Sequence, residues 1–147
     1  FGSSSRLEVG RCHPTPHTFR AKAIAGMSMQ ALHLLCKHEK SRNPVSRRTN
    51  QSTAGIPVAN AHAELEGIIS NLQAAKALGP KALETEFRKA AKARSDCGSF
   101  AQEGDLGVFG PGDMQKQFED GVLALQPGEM SGIVDSDSGS HIIFRIA

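Results

Sequence analysis

Apolar residues dominate the run MQALHLLC from Met29 to Cys36, with only partial alternation, and this predicts a buried β-strand. Polar residues then take over from Lys37 to Gly55, which reads as a long loop. From Val58 to Ala77, the residues Ala61, Leu65, Ile68, Leu72 and Ala75 recur at helical spacing, and Gly79-Pro80 closes this amphipathic helix. A second helix is predicted over Lys81–Arg94, with Leu83, Phe87, Ala90 and Ala91 on its inner face. A turn-rich stretch from Ser95 leads to a short strand at Val108–Phe109. Beyond it, Met114–Leu123 reads as a short helix whose Met114, Phe118 and Val122 share one face. Gln126-Pro-Gly-Glu is a tight turn, and Met130–Val134 and His141–Ile146 read as the strands of a hairpin joined by polar residues. This order predicts an α+β domain, an antiparallel sheet covered by helices.

Residues 1–26 show no sustained apolar period, and Pro14 and Pro16 interrupt any helix. They read as a flexible tail, native or vector-derived. Residues 27–147 are long enough for one domain, burying roughly two-thirds of the unfolded surface. Charge divides the same way. Arg6, Arg11, Arg20 and Lys22 face a single Glu8 in residues 1–26, whereas residues 27–147 carry 13 basic and 14 acidic residues. The folded part is near neutral, so any anion site must come from local clustering. Such a cluster exists: Lys37, Lys40, Arg42, Arg47 and Arg48 lie within twelve residues against one Glu39. At this level it is equally a solvated basic loop.

Cys12, Cys36 and Cys97 are widely spaced and form no CxxC pair, which argues against a disulfide scaffold and for a reducing compartment. Cys12, His13 and His17 in the tail are not read as a metal site. No apolar run approaches the ~20 residues a membrane helix needs. The expectation is a monomer of the cytoplasm or nucleus, with no cofactor, metal, nucleic acid or membrane partner.

Four ordered blocks carry a family resemblance. They are His33-Leu34-Leu35 with Lys37-His38; Ser95-Asp96-Cys97; Gly104-Asp-Leu-Gly-Val-Phe followed by Met114-Gln-Lys-Gln-Phe-Glu-Asp; and Gly128-Glu-Met-Ser-Gly followed by Asp137-Ser-Gly-Ser-His-Ile-Ile. Together they resemble the parvulin-type peptidyl-prolyl cis/trans isomerases over about Met29–Ala147, and most closely the eukaryotic branch directed to phosphorylated Ser/Thr-Pro bonds. The resemblance implies the parvulin (FKBP-like) fold, a four-stranded antiparallel sheet flanked by about four helices. With no Trp in the chain, a tryptophan-built WW module is excluded.

Rotation about an X–Pro bond meets a resonance barrier of about 18–20 kcal/mol. A catalyst lowers it without covalent chemistry by gripping the ring and favouring the twisted amide in a dry site. By resemblance, Leu106, Met114 and Phe118 line the proline pocket, with Gln115 beside it; periodicity alone reads the same residues as ordinary core packing. His33 and His141 match the family's paired histidines, whose hydrogen bond lies beneath the site, and Ser136 and Ser138 fall near them. Cys97 is the polarisable, anionic candidate that disfavours the planar amide; a Cys–His hydrolase is the weaker reading, for no cysteine-protease signature surrounds it. Asp96 is read as an N-cap and Asp137 as a turn residue. Lys37 and Arg42 match the phosphate-binding positions. Where that branch usually has two adjacent arginines, this chain has Arg42-Asn43, leaving Arg47 and Arg48 as candidates for the missing charge. The partners implied are phosphorylated Ser/Thr-Pro proteins. A phosphate-indifferent folding helper and a phosphopeptide-binding module are the alternatives.

Overall fold

The computed structural model describes residues 28–147. The expectation of a tail over residues 1–26 lies outside these. Strand β1 (Met29–Cys36) has seven of its eight residues buried, because both of its faces are covered. That explains why its sequence alternates so weakly. It runs antiparallel to β2 (Asp105–Phe109) on one side and to β4 (Gly139–Arg145) on the other, and β3 (Val134–Ser136) pairs with β4 at the edge. The sheet order is β2-β1-β4-β3.

The pleat sorts side chains into two cores. Leu32, Leu34, Cys36, Ile142 and Phe144 pack under α1 (Val58–Lys76) and α2 (Pro80–Arg94), against Leu65, Leu72, Leu83 and Phe87. The opposite parity sends Met29, Ala31, Leu35 and Ile143 toward Leu106, Phe109, and the Phe118 and Val122 of α3 (Lys116–Leu123). His33 and His141 share this second parity, so strand geometry alone delivers both to the α3 side of the sheet.

The antiparallel sheet is as expected from the sequence; the helix count is not. The described residues hold three α-helices and one short 3-10 helix, Gly98–Gln102, instead of about four helices. The helix expected from Met114 starts only after Gln115, so Met114 does not stack on Phe118 along a helix face. The Gly110–Asp113 turn takes up the intervening chain: Asp113 N–H donates to the Gly110 carbonyl at 3.1 Å and Gly110 N–H to Asp113 Oδ2 at 2.9 Å. The hairpin also differs. Met130 makes only an isolated bridge to Phe144, and the paired strand is Val134–Ser136. At Ser131 the hydroxyl, not the backbone carbonyl, accepts Ile143 N–H at 2.9 Å, which interrupts the ladder.

One glycine is fixed by this packing. Gly104 has φ of 85°, and a Cβ there would lie 2.5 Å from the His33 carbonyl. Its own carbonyl accepts His33 N–H at 2.9 Å. The close approach holds the backbone of the strand exactly where His33 projects, a spacing no larger residue permits.

Candidate active site

Along the α3 side of the sheet lies a narrow cleft lined by His33, Met114, Gln115, Phe118, Ser136, Ser138 and His141. Phe118 supplies its apolar wall. The ring meets His33 edge-on at 5.4 Å and His141 at 5.2 Å, with Phe109 tilted behind it at 6.2 Å. The two imidazoles stack at 5.1 Å, and their Nδ1 atoms are 3.0 Å apart. Leu106 is buried in the same apolar cluster as Phe118 and Met114, behind the cleft lining.

A polar chain continues from the histidines. His141 Nε2 is 2.6 Å from Ser136 Oγ, which accepts Ser138 N–H at 3.2 Å. Ser138 Oγ in turn accepts the Gln115 amide at 3.1 Å. Burial drives the His141 pKa down from 6.5 to about 3; nearby Asp135 opposes the shift and His38 adds to it. His141 is thus a neutral imidazole with one N–H. Either Ser136 donates to Nε2 while Nδ1–H donates to His33, or both bonds run the other way. The arrangement fixes ring orientation and polarity with His141 uncharged.

This shift has a testable sign. Between about pH 6.5 and pH 3 the unfolded chain protonates this histidine and the folded chain does not. Stability is therefore complete above the unfolded value and falls on acidification, by about 1.4 kcal/mol per pH unit from this residue alone. Asp135 acts in the same direction: partial burial raises its pKa, but hydrogen bonds from Ser140 and His62 outweigh this and the net shift is down. Urea midpoints at about pH 7 and about pH 4.5 should separate the chain from a His141→Asn variant, whose slope should be shallower. Parallel slopes for the two would rule the assignment out.

Cys97 lies at the start of the 3-10 helix, fully buried, and its sulfur accepts Ser99 N–H at 3.4 Å and Ser99 Oγ–H at 3.2 Å. The other described cysteine, Cys36, is a buried thiol whose pKa burial pushes up to about 12.

The cationic loop sorts into distinct groups. Lys37 is buried, and its ammonium donates to the Val45 carbonyl at 2.7 Å. Burial and then the charge of Arg47 hold its pKa below the ordinary value, against the pull of Asp96. Arg47 is exposed, close enough to Lys37 for the two charges to repel. Arg48 turns the other way. Its Nε donates to the Ser95 carbonyl at 3.3 Å and its guanidinium lies 4.0 Å from Asp96. Arg42 pairs with Asp137 at 3.0 Å, both side chains about half exposed. Of the two arginines offered for the missing charge, Arg47 is exposed beside Lys37, whereas Arg48 is engaged with Ser95 and Asp96.

Two acids carry more than the sequence suggested. Asp96 does not cap the Cys97 turn; the Cys97 side chain does. Asp96 is instead a buried carboxylate that accepts Lys37 N–H at 2.9 Å and Arg94 Nη1 at 3.1 Å. Asp137, read as a turn residue, joins Arg42 to Gln115, whose Oε1 accepts Asp137 N–H at 2.9 Å. The sequence signal was slight: Asp96 follows a basic run ending at Arg94, and Asp137 sits in a polar turn with Asp135 and no nearby cation.

Comparison with known proteins agrees with this geometry. Residues 33–147 match the rotamase family described as the PPIC-type PPIase domain. The chain is 42% identical over 118 residues to peptidyl-prolyl cis-trans isomerase ESS1 of Saccharomyces cerevisiae, covering 80% of this chain and 65% of that protein. It is 39% identical over 123 residues to peptidyl-prolyl cis-trans isomerase Pin1 of Malus domestica, covering 82% of this chain and 95% of the relative. Among solved structures, the solution structure of TbPIN1 superposes with a TM-score of 0.70 at 46% identity, over 82% of this chain and 98% of that one.

Proposed function

The chain belongs to the PPIC-type, or parvulin, family of peptidyl-prolyl cis/trans isomerases, and on that premise we propose that it isomerises X–Pro bonds in proteins whose residue before proline is phosphoserine or phosphothreonine. The observation that carries this reading is a Phe118-walled cleft over two hydrogen-bonded histidines, tied through Gln115 and Asp137 to the cation Arg42.

The proline ring sits against Phe118 and Met114, with Leu106 packed behind them. Excluding water from the amide removes solvation that favours the planar, polar form over the twisted one. The chain from Gln115 through Ser138 and Ser136 to His141 and His33 holds hydrogen-bonding groups in fixed positions around the rotating amide. A neutral His141 suits this task, since rotation involves no net proton transfer. His33, His141, Ser136 and Ser138 are therefore assigned to shaping and polarising the site. Cys97, buried in the same apolar cluster as Phe118, is assigned the polarisable side chain that disfavours the planar amide.

A phosphate dianion calls for several cations in one place, with an arginine fork able to bind two oxygens. Arg42 and Arg47 supply the forks, and Lys37 adds field from beneath. Asn43 weakens the site relative to a paired arginine. On the same reading the chain acts as a monomer on phosphorylated proteins of the cytoplasm or nucleus. Among the described residues no helix is long and apolar enough to cross a membrane.

The test is two-dimensional exchange NMR on Phe-Ser-Pro-Arg and its phosphoserine form. Enzyme-dependent cis/trans exchange is expected on the phosphopeptide at much lower enzyme concentration. Arg47→Ala should reduce kcat/KM for the phosphopeptide about tenfold, the value of one charge-assisted contact, and leave the unphosphorylated peptide little changed. Equal exchange on both peptides would make the protein a phosphate-indifferent isomerase. Binding without exchange would make it a recognition module.

A further inference from the structure

Arg42 of the candidate phosphate site already has an anion beside it, and that anion belongs to the chain itself. Asp137 Oδ2 lies 3.0 Å from Arg42 Nη2. The two residues are 95 apart in sequence, yet they are joined twice, because Arg42 N–H also donates to the Asp137 carbonyl at 2.7 Å. Asp137 N–H reaches Gln115, and both Gln115 and the adjacent Ser138 line the cleft. The carboxylate therefore stands between the cationic loop and the pocket that would hold the proline.

We propose that Asp137 is an internal stand-in for the substrate phosphate, holding Arg42 Nη2 and yielding it when a phosphorylated residue binds. This rests on the phosphate-directed reading above and adds to it a residue that sets how strong an anion must be to enter. The pair is suited to exchange. Both partners are about half exposed, so their mutual attraction is screened and weak. The backbone bond, by contrast, keeps Arg42 at the rim when its side chain lets go. A phosphate carries about −1.5 to −2 charges and three acceptor oxygens at neutral pH, against one charge on the carboxylate. It displaces Asp137. A glutamate before proline only equals Asp137 in charge and gains little by replacing it. Asp137 thus disfavours carboxylate mimics of the phosphate by competing for Arg42 and leaves neutral side chains unaffected.

The experiment compares wild type with Asp137→Asn on three peptides, bearing Ser, Glu or phosphoserine before the proline. Asparagine keeps the turn and both backbone hydrogen bonds and removes only the charge. The expected result is a KM for the phosphopeptide lowered about three- to fivefold relative to the Ser peptide, with kcat unmoved, as fits loss of a weak surface pair. The Glu peptide should gain in the same sense. In an Arg42→Ala background the Asp137→Asn change should have no effect on KM, since its competitor's target is gone. An unchanged or raised KM for the phosphopeptide would overturn the proposal, because Asp137 would then be idle or would orient Arg42 for the substrate. A wild type that ignores phosphate separates the two claims. If Asp137→Asn then confers a preference, Asp137 masks Arg42 and only the phosphate reading of the natural chain falls. If it confers none, both fall.

Discussion

A Phe118→Ala variant is expected to lose about a hundredfold in kcat/KM on any X–Pro peptide, phosphorylated or not, a cost of about 2.7 kcal/mol in the transition state. The ring is the wall against which the proline would turn, and it also seats both imidazoles edge-on, at 5.4 and 5.2 Å. Truncation removes the grip and frees His33 and His141 to reorient. The same side chain is 4% exposed within the second core. Its loss should therefore also lower stability by about 3–5 kcal/mol, the usual range for a buried Phe→Ala. Phe118→Leu separates the two effects, since it keeps an apolar wall and refills most of the cavity. It should recover most of the stability and part of the rate. Exchange NMR measures the rate, and guanidinium unfolding shows that the chain being assayed is folded. A folded Phe118→Ala protein turning over at the wild-type rate would remove Phe118 from the site.

How far the sequence foretold this site depends on which interactions build each part. Local patterning placed β1 at Met29–Cys36 and the two long helices to within a residue at each end, because burial and helical periodicity are short-range signals. The same patterning brings His33 and His141 to one face once the strands are known. It failed where side chains replace backbone bonds. Ser131 Oγ interrupts the ladder in the expected strand, and the Asp113 turn delays α3, so Met114 reaches the cleft from a loop. Neither event leaves a periodic trace. The charge pairings were least legible of all. Arg42 meets Asp137, and Asp96 meets Arg48 and the start of the cationic loop, only because the sheet closes. A run of five cations looked like a uniform patch, whereas folding gives Lys37, Arg42, Arg47 and Arg48 four different environments.

Asp96→Ala is the second large effect expected, and it tests how that loop is held. Asp96 is 2% exposed, and each of its polar groups is engaged. Its N–H donates to the Leu35 carbonyl at 2.8 Å, and its carbonyl accepts Arg47 N–H at 2.8 Å. One carboxylate oxygen takes Lys37 N–H, and the other takes Arg94 with Arg48 farther off. Alanine keeps the backbone bonds but leaves Lys37 N–H and two guanidinium groups without their anion. Removing one side of a buried charge cluster costs about 3–5 kcal/mol, a large part of the 5–15 kcal/mol typical of a whole domain. Arg94 limits the damage because it also pairs with Glu64. Among the described residues, Arg48 has only the Ser95 carbonyl to fall back on. Guanidinium unfolding should show the loss as a lower midpoint at unchanged slope. The functional signature should be selective. With the anchor of Lys37 and Arg47 loosened, kcat/KM should fall further for the phosphopeptide than for its unphosphorylated partner, because the Phe118 wall and the histidine pair lie on other elements. Asp96→Asn, which keeps one acceptor and loses the charge, should fall between. A stability change under about 1 kcal/mol for Asp96→Ala would mean that water or a shifted Glu64 replaces the carboxylate, and that the cationic loop is not held by this knot.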